Sequence, residues 1–190
     1  MAPPQIDDQT ALVLIDVQKS IDEPVWAMDG PRNNEDGEAN LARLLDAWRR
    51  AERPVVHVRH DSTNPESPYS PEKPSHGFKD EVIPLAGELV VGKKTNSAFI
   101  GTGLEQHLRD RRLTRLVIAG VITNNSVEAT VRMAGNLGFD TIVAADACWT
   151  FAKRDWSGTL RTAQEVHDMA LANMDGEYAR VLTTDAVLGR

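Results

Sequence analysis

Short, nearly continuous apolar runs alternate along this chain with longer stretches in which apolar residues recur every three or four positions. The runs fall at residues 11–17, 54–59, 88–92, 115–120, 140–145 and 178–184. A strand with one wet face alternates apolar and polar residues, so runs without alternation predict strands covered on both faces, as in a parallel sheet. Between them, residues 38–52 set Leu41, Leu44, Leu45 and Trp48 on one face of a helix. Residues 126–137 do the same with Val127, Val131, Ala134 and Leu137, and Gly138 supplies a stop. Thr102 with Glu105, and Thr162 with Glu165, have the spacing of capping boxes and predict two more helix starts. Strands separated by helices predict βαβ units. The expected fold is therefore α/β: one domain over residues 1–190, an open, mainly six-stranded parallel sheet with helices on both faces, in a Rossmann-like three-layer arrangement. Residues 62–84, rich in Pro, Ser and charge, resist assignment; a loop that long in a compact domain usually acts as a lid or an oligomer contact.

Composition narrows the function. A chain of 190 residues buries a substantial core without staples, and 41% hydrophobic with 26% charged residues is ordinary for a globular protein. The formal net charge of −7 speaks against a nucleic-acid partner, because a broad phosphate surface would go unneutralised. Arg109, Arg111, Arg112 and Arg115 do cluster, but at the end of a predicted helix, where cations favour the dipole. The first residues lack the basic and apolar regions of a signal peptide, and no apolar run approaches membrane-spanning length. No membrane partner is expected, and the cytoplasm is the expected location. Cys148 is the only cysteine, which excludes an intramolecular disulfide and a cysteine metal cluster.

Chemistry in an open α/β sheet gathers beyond the carboxyl ends of the strands. The first apolar run closes on Asp16, and the third runs into Lys93 and Lys94. The fourth passes through Val121-Ile-Thr-Asn-Asn125 to Ser126 at a predicted helix N-terminus, where free N–H groups favour a nucleophile or a developing oxyanion. Taken singly, each has an ordinary explanation: a turn cap, a solvated amine, a helix N-cap at Asn125 or Ser126.

Together they say more. Val-Leu-Ile-Asp-Val-Gln around Asp16, Lys-Lys-Thr-Asn-Ser-Ala-Phe from Lys93, and Ala-Gly-Val-Ile-Thr-Asn-Asn-Ser-Val-Glu-Ala-Thr around Ser126 resemble the signature segments of the isochorismatase-like hydrolases, the cysteine hydrolase superfamily. The likeness continues through Asn136-Leu-Gly-Phe, Asp146-Ala-Cys-Trp-Thr-Phe151 and Glu165-Val-His167, in order over nearly the whole chain. It implies hydrolysis of small amides, ureas or nicotinamide-like compounds by an Asp–Lys–Cys triad. On it, Asp16 is the general base and proton shuttle, and Lys93, or Lys94 one residue on, is the triad lysine. It also implies a cis peptide at Val121–Ile122 that aims the Ile122 N–H, with that of Ser126, as an oxyanion hole.

One position departs from the pattern. Ser126 stands where the family carries its nucleophilic cysteine, and Cys148 falls after the next strand, where a small buried cysteine is the plain reading. A serine needs stronger activation than a cysteine, which is already partly ionised near neutrality. Three explanations stay open: an engineered replacement, a natural serine nucleophile with Asp16 as base, or the isochorismatase branch, which cleaves a vinyl ether by acid chemistry without a nucleophile. A catalytically dead paralogue that only binds a small molecule is a fourth reading.

No cofactor and no metal are expected. The zinc-binding members carry an Asp-x-His pair where this chain reads His57-Val-Arg-His60-Asp61, with His76 further on. The odd spacing of His57 and His60 sends them to opposite faces of a strand. Gln18, Trp26, Asn125, Phe151 and Trp156 are the candidate substrate-binding residues, lying in or near loops expected around the mouth; an aromatic there could stack on a planar amide or urea. A small-molecule substrate and a homodimer or homotetramer are the expected partners.

Overall fold

A computed structural model describes residues 6–190. Six strands form one parallel sheet: β1 (Thr10–Ile15), β2 (Val55–His60), β3 (Leu89–Lys93), β4 (Arg115–Val121), β5 (Asp140–Trp149) and, last in the chain, β8 (Arg180–Leu182), in the order β3-β2-β1-β4-β5-β8. Two short strands, β6 (Lys153–Arg154) and β7 (Leu160–Arg161), make a separate antiparallel hairpin. The helices are α1 (Gly37–Arg50), α2 (Leu104–Asp110), α3 (Glu128–Asn136), α4 (Ala163–Met174) and α5 (Thr184–Val187). The α/β expectation holds, and each predicted strand is present with ends moved by a few residues.

The chain winds outward from β1 in one direction to β2 and β3, then returns to β4 and winds the other way. Right-handed crossovers therefore put α1 on one face and α2 to α4 on the other. The order reverses between β1 and β4, so the carboxyl ends of these two strands open a crevice. Both are buried along almost their whole length, as runs without alternation require. Leu41, Leu44, Leu45 and Trp48 bury one side of α1, and the Trp48 indole N–H donates to the Thr10 carbonyl at 3.1 Å. Satisfying that group internally is what lets so large a side chain be wholly enclosed.

Several local readings change. The Thr162–Glu165 capping box forms as expected. The one at Thr102 does not: its hydroxyl donates to the Ala98 carbonyl at 2.5 Å, and α2 starts at Leu104. β5 runs four residues past its predicted end because a register irregularity between Ile118 and Gly120 lets it resume pairing with β4 through Cys148 and Trp149. The hairpin β6–β7 carries too few apolar residues to show in a periodicity search. Residues 62–84 fold back on their own domain, where the Ser20 hydroxyl lies 2.8 Å from the carbonyls of Pro68 and Ser75. No helix of the described residues is long and apolar enough to cross a membrane.

Gly120 sets β4 directly against Ile15 of β1. Its φ is +125°, and a Cβ there would sit 2.3 Å from the Ile15 carbonyl oxygen and 2.7 Å from the Ile15 nitrogen, both backbone atoms that cannot swing aside. Gly120→Ala is expected to cost about 3 kcal/mol or more of stability, from combined strain and overlap. Urea unfolding checks this as a lowered midpoint at unchanged slope.

Candidate active site

Four strand ends supply the site. Asp16 follows β1, His60 ends β2, Lys93 ends β3 in register with His60, and the turn after β4 carries Ile122 to Ser126. Lys93 is 1% exposed although it is a lysine, and its Nζ donates to Asp16 Oδ2 at 2.7 Å, the Thr95 carbonyl at 3.1 Å and Ser126 Oγ at 3.3 Å. His60 Nδ1 lies 3.2 Å from the same nitrogen. Lys94 is exposed, and Lys93 is the lysine that contacts Asp16.

Asp16 adopts a φ of +54°, a conformation that non-glycine residues seldom take. Its Oδ1 is buried without a hydrogen-bond partner. Burial pushes the Asp16 carboxyl up from the ordinary aspartate range; the Lys93 ammonium, and more weakly the Ser126 hydroxyl, pull it the other way. A carboxyl raised in this manner takes a proton more readily than an ordinary aspartate.

The Val121–Ile122 peptide is cis. The chain then makes a wide π-type turn over Thr123–Val127 before α3, so Ser126 lies inside a helical turn rather than at its first position. The sequence reading placed the helix start three residues late, because Thr123-Asn-Asn125 reads as a polar loop. This turn is braced from behind: Thr123 Oγ1 lies 2.8 Å from His167 Nδ1 on α4, and the Thr150 hydroxyl donates to Asn124 Oδ1 at 2.5 Å.

A cavity of about 100 Å³ opens among Asp16, His60, Tyr69, Ile122, Asn125 and Ser126, with Trp26 also on its wall. Of the candidate substrate contacts, Trp26 and Asn125 thus face it. Three do not line it. Gln18 is wholly buried and its amide is spent on backbone, donating to the carbonyls of His60 and His76 and accepting the His60 N–H. Phe151 stacks behind Trp26 with ring centroids 6.4 Å apart. Trp156 is 99% exposed on the β6–β7 hairpin, away from the cavity, because the loop expected at the mouth is an outward-pointing arm.

Sequence reasoning missed His60 and Tyr69 as site residues. Tyr69 reaches back from the 62–84 segment to donate to the Asp16 carbonyl at 3.2 Å, a contact no local pattern encodes. His60 was legible in principle, since it ends a strand in the same layer as Asp16 and Lys93. Burial and the Lys93 charge push its imidazole down to about 4. His57 sits elsewhere, fully buried against Glu88 at 2.8 Å. His76 pairs with Asp61 at 2.8 Å. Among the described residues no group of three or more His, Cys, Asp or Glu side chains is arranged to hold a metal ion. Cys148 is buried with its thiol pushed up to about 12, which leaves it no role as a nucleophile.

The isochorismatase domain family matches residues 10–186. The isochorismatase family protein YrdC of Bacillus subtilis is 38% identical over 183 residues, which cover 96% of each chain. The ureidoacrylate amidohydrolase RutB of Methylobacterium radiotolerans is 27% identical over 215 residues, covering 95% of this chain and 80% of its own. Among solved structures, a protein of the isochorismatase family from Chromobacterium violaceum superposes with a TM-score of 0.94 at 54% identity, covering 100% of this chain and 97% of that one.

The depressed His60 titration has a definite sign. Between pH about 6.5 and 4 the unfolded chain binds a proton that the folded chain refuses, so this group's contribution falls as pH falls through that window and levels off below it. In His60→Asn that loss should vanish. The stability advantage of the parent over the variant, read from urea midpoints, should shrink steadily from pH 7 to pH 4; a difference independent of pH would contradict the assignment.

Proposed function

Because the chain belongs to the isochorismatase family of hydrolases, we propose that it cleaves a C–N bond of a small non-peptide amide, ureide or carbamoyl compound at the Asp16–Lys93–Ser126 cluster. The observation that carries this reading is the single buried ammonium, Lys93 Nζ, 2.7 Å from the Asp16 carboxylate and 3.3 Å from the Ser126 hydroxyl, both of which line a cavity of about 100 Å³. RutB, by its name an amidohydrolase of ureidoacrylate, is a relative with chemistry of that class.

In the proposed reaction Ser126 Oγ attacks the carbonyl carbon while Asp16 takes the hydroxyl proton. The tetrahedral oxyanion is held between the N–H groups of Ile122 and Ser126. Asp16 returns the proton to the departing nitrogen, and the C–N bond breaks to leave an acyl ester on Ser126. Water, deprotonated by the same carboxylate, then attacks the ester, releases the acid and restores the hydroxyl. Lys93 keeps Asp16 oriented and its charge balanced throughout. Asn125 and Trp26, on the cavity wall, are the contacts for the polar edge and the flat face of the substrate.

A second reading rests on the same pair. Lys93 donates to Ser126 Oγ, which does nothing to remove the hydroxyl proton, and burial pushes the Asp16 carboxyl up, which favours its protonated form. Those features suit acid cleavage of a vinyl ether, in which Ser126 is a bystander.

Two variants separate these readings. Asp16→Asn should lower turnover by about 10³-fold on either, the size of a lost general acid–base group. Ser126→Cys should raise ammonia or amine release across a panel of small amides and ureides by at least about tenfold, because a thiolate is far easier to form. Pyruvate release from isochorismate that survives Ser126→Ala, with no amine release by Ser126→Cys, would overturn the first reading in favour of the second.

A further inference from the structure

His60 is a half-buried residue of the cavity wall, and its ring still has a polar atom to give. Its backbone is clamped in both directions by the buried Gln18 amide, which accepts the His60 N–H at 2.7 Å and donates to the His60 carbonyl at 3.2 Å. The ring is held as well. It stands edge-on to Tyr69, with centroids 5.7 Å and planes 86° apart, and its Nδ1 lies 3.2 Å from Lys93 Nζ. A side chain fixed on this many sides loses little freedom when a ligand reaches it.

The Lys93 contact decides where the imidazole carries its proton. An ammonium offers only hydrogens, so the Nδ1 that meets it presents a lone pair, and the proton of the neutral ring sits on Nε2. Burial and the Lys93 charge keep the ring neutral at neutral pH, with a smaller push the same way from His76; Asp61 and the Thr95 carbonyl pull weakly against them. No described group takes up Nε2, and it is not among the enclosed polar atoms that lack a partner. It is therefore an N–H open to the cavity that His60 lines.

The other ring donors on that wall are already spent. The Trp26 indole N–H donates to the Ser20 carbonyl at 2.8 Å, and the Tyr69 hydroxyl to the Asp16 carbonyl at 3.2 Å. In the proposed reaction the Ile122 and Ser126 N–H groups are taken by the scissile carbonyl. Nε2–H is thus a separate, uncharged donor, and a cavity of about 100 Å³ leaves only a few bonds between its acceptor and the scissile carbon. A carboxylate brought there would face the Asp16 carboxylate across the same small space, so a neutral oxygen is the acceptor that fits.

We propose that His60 Nε2–H is a substrate-binding donor, and that it selects amides or ureides bearing a second, uncharged carbonyl oxygen within a few bonds of the scissile one. This role for His60 rests on the C–N hydrolysis proposed above.

Two matched amides and two variants test it, in a Ser126→Ala background so that binding is read without turnover. Malonamide carries the second carbonyl; isovaleramide has the same shape with methyl groups in its place. Calorimetric titration should show malonamide bound about fivefold to tenfold more tightly, the worth of one neutral hydrogen bond. His60→Asn keeps an acceptor facing Lys93 but has nothing at the Nε2 place, and should erase that preference. His60→Gln carries its amide N–H to the Nε2 place and should restore most of it. Long-range proton–nitrogen correlation of the histidine-labelled protein should show His60 as the Nε2–H tautomer at neutral pH, its Nε2 signal moving more with malonamide than with isovaleramide. Circular dichroism checks that each variant folds; should one fail to, the tautomer and the selectivity of unchanged His60 decide alone. An Nδ1–H or charged imidazole, equal binding of the two amides, a preference that survives His60→Asn, or no recovery in His60→Gln would overturn the role of His60 alone. Binding of neither amide, with the tautomer as expected, would overturn the amide hydrolysis and the role of His60 with it.

Discussion

An ammonium and a carboxylate enclosed together, Lys93 against Asp16 at 2.7 Å, set the terms for the carboxyl end of this sheet. Taking two charges out of water costs several kcal/mol each, and their attraction repays that only where geometry is tight and the remaining protons find acceptors. Lys93 meets that condition: its three protons have the Asp16 carboxylate, the Thr95 carbonyl, His60 Nδ1 and Ser126 Oγ within reach. Asp16 does not, since Oδ1 has no partner. A half-satisfied buried carboxylate is a poor way to stabilise a fold and a good way to keep a proton acceptor ready. The carboxylate of this pair is thus less fully satisfied than the ammonium it faces.

Holding that pair constrains the strands. Asp16 and Lys93 end strands that are not neighbours, with β2 between them, so β1, β2 and β3 must keep one register for the two side chains to meet. Parallel strands buried on both faces resist slippage, because a shift of one residue would exchange the sides on which every side chain packs. The fourth contributor arrives from the other half of the winding. Gly120 allows β4 to approach Ile15 more closely than any side chain would permit, and the turn that follows delivers Ser126 to the Lys93 ammonium.

These dependencies explain what the chain discloses and what it hides. The strands were legible because burial on both faces leaves an uninterrupted apolar run, and Asp16 and Lys93 because a charged residue at the end of such a run is conspicuous. Ser126 was legible in position, though the turn around it was not. Its width is set by Thr123 meeting His167 on α4 and Asn124 meeting Thr150 after β5, contacts spanning 44 and 26 residues. Tyr69 and Gln18 were opaque for the same reason: each is defined by a partner far along the chain. The Thr102 spacing was misleading because the N-cap is Gly103, one residue on; the Thr102 hydroxyl donates to Ala98 and accepts the Leu104 N–H rather than the Glu105 N–H that a capping box requires.

Helix α4 joins the two themes. Its inner side supports the turn bearing Ser126 through His167, whose other ring nitrogen lies 3.4 Å from Asn34 Nδ2. The Asn34 amide in turn donates to the carbonyls of Ala145 and Cys148, so the helix is tied through one imidazole to the middle and end of β5. A helix held this firmly on one side cannot roll to hide an apolar residue on the other. Met169 and Val166 therefore stay outward for a reason internal to the fold: moving them inward would drag His167 off Thr123. The exposed Met169 and the braced turn are two consequences of one rotational setting of α4.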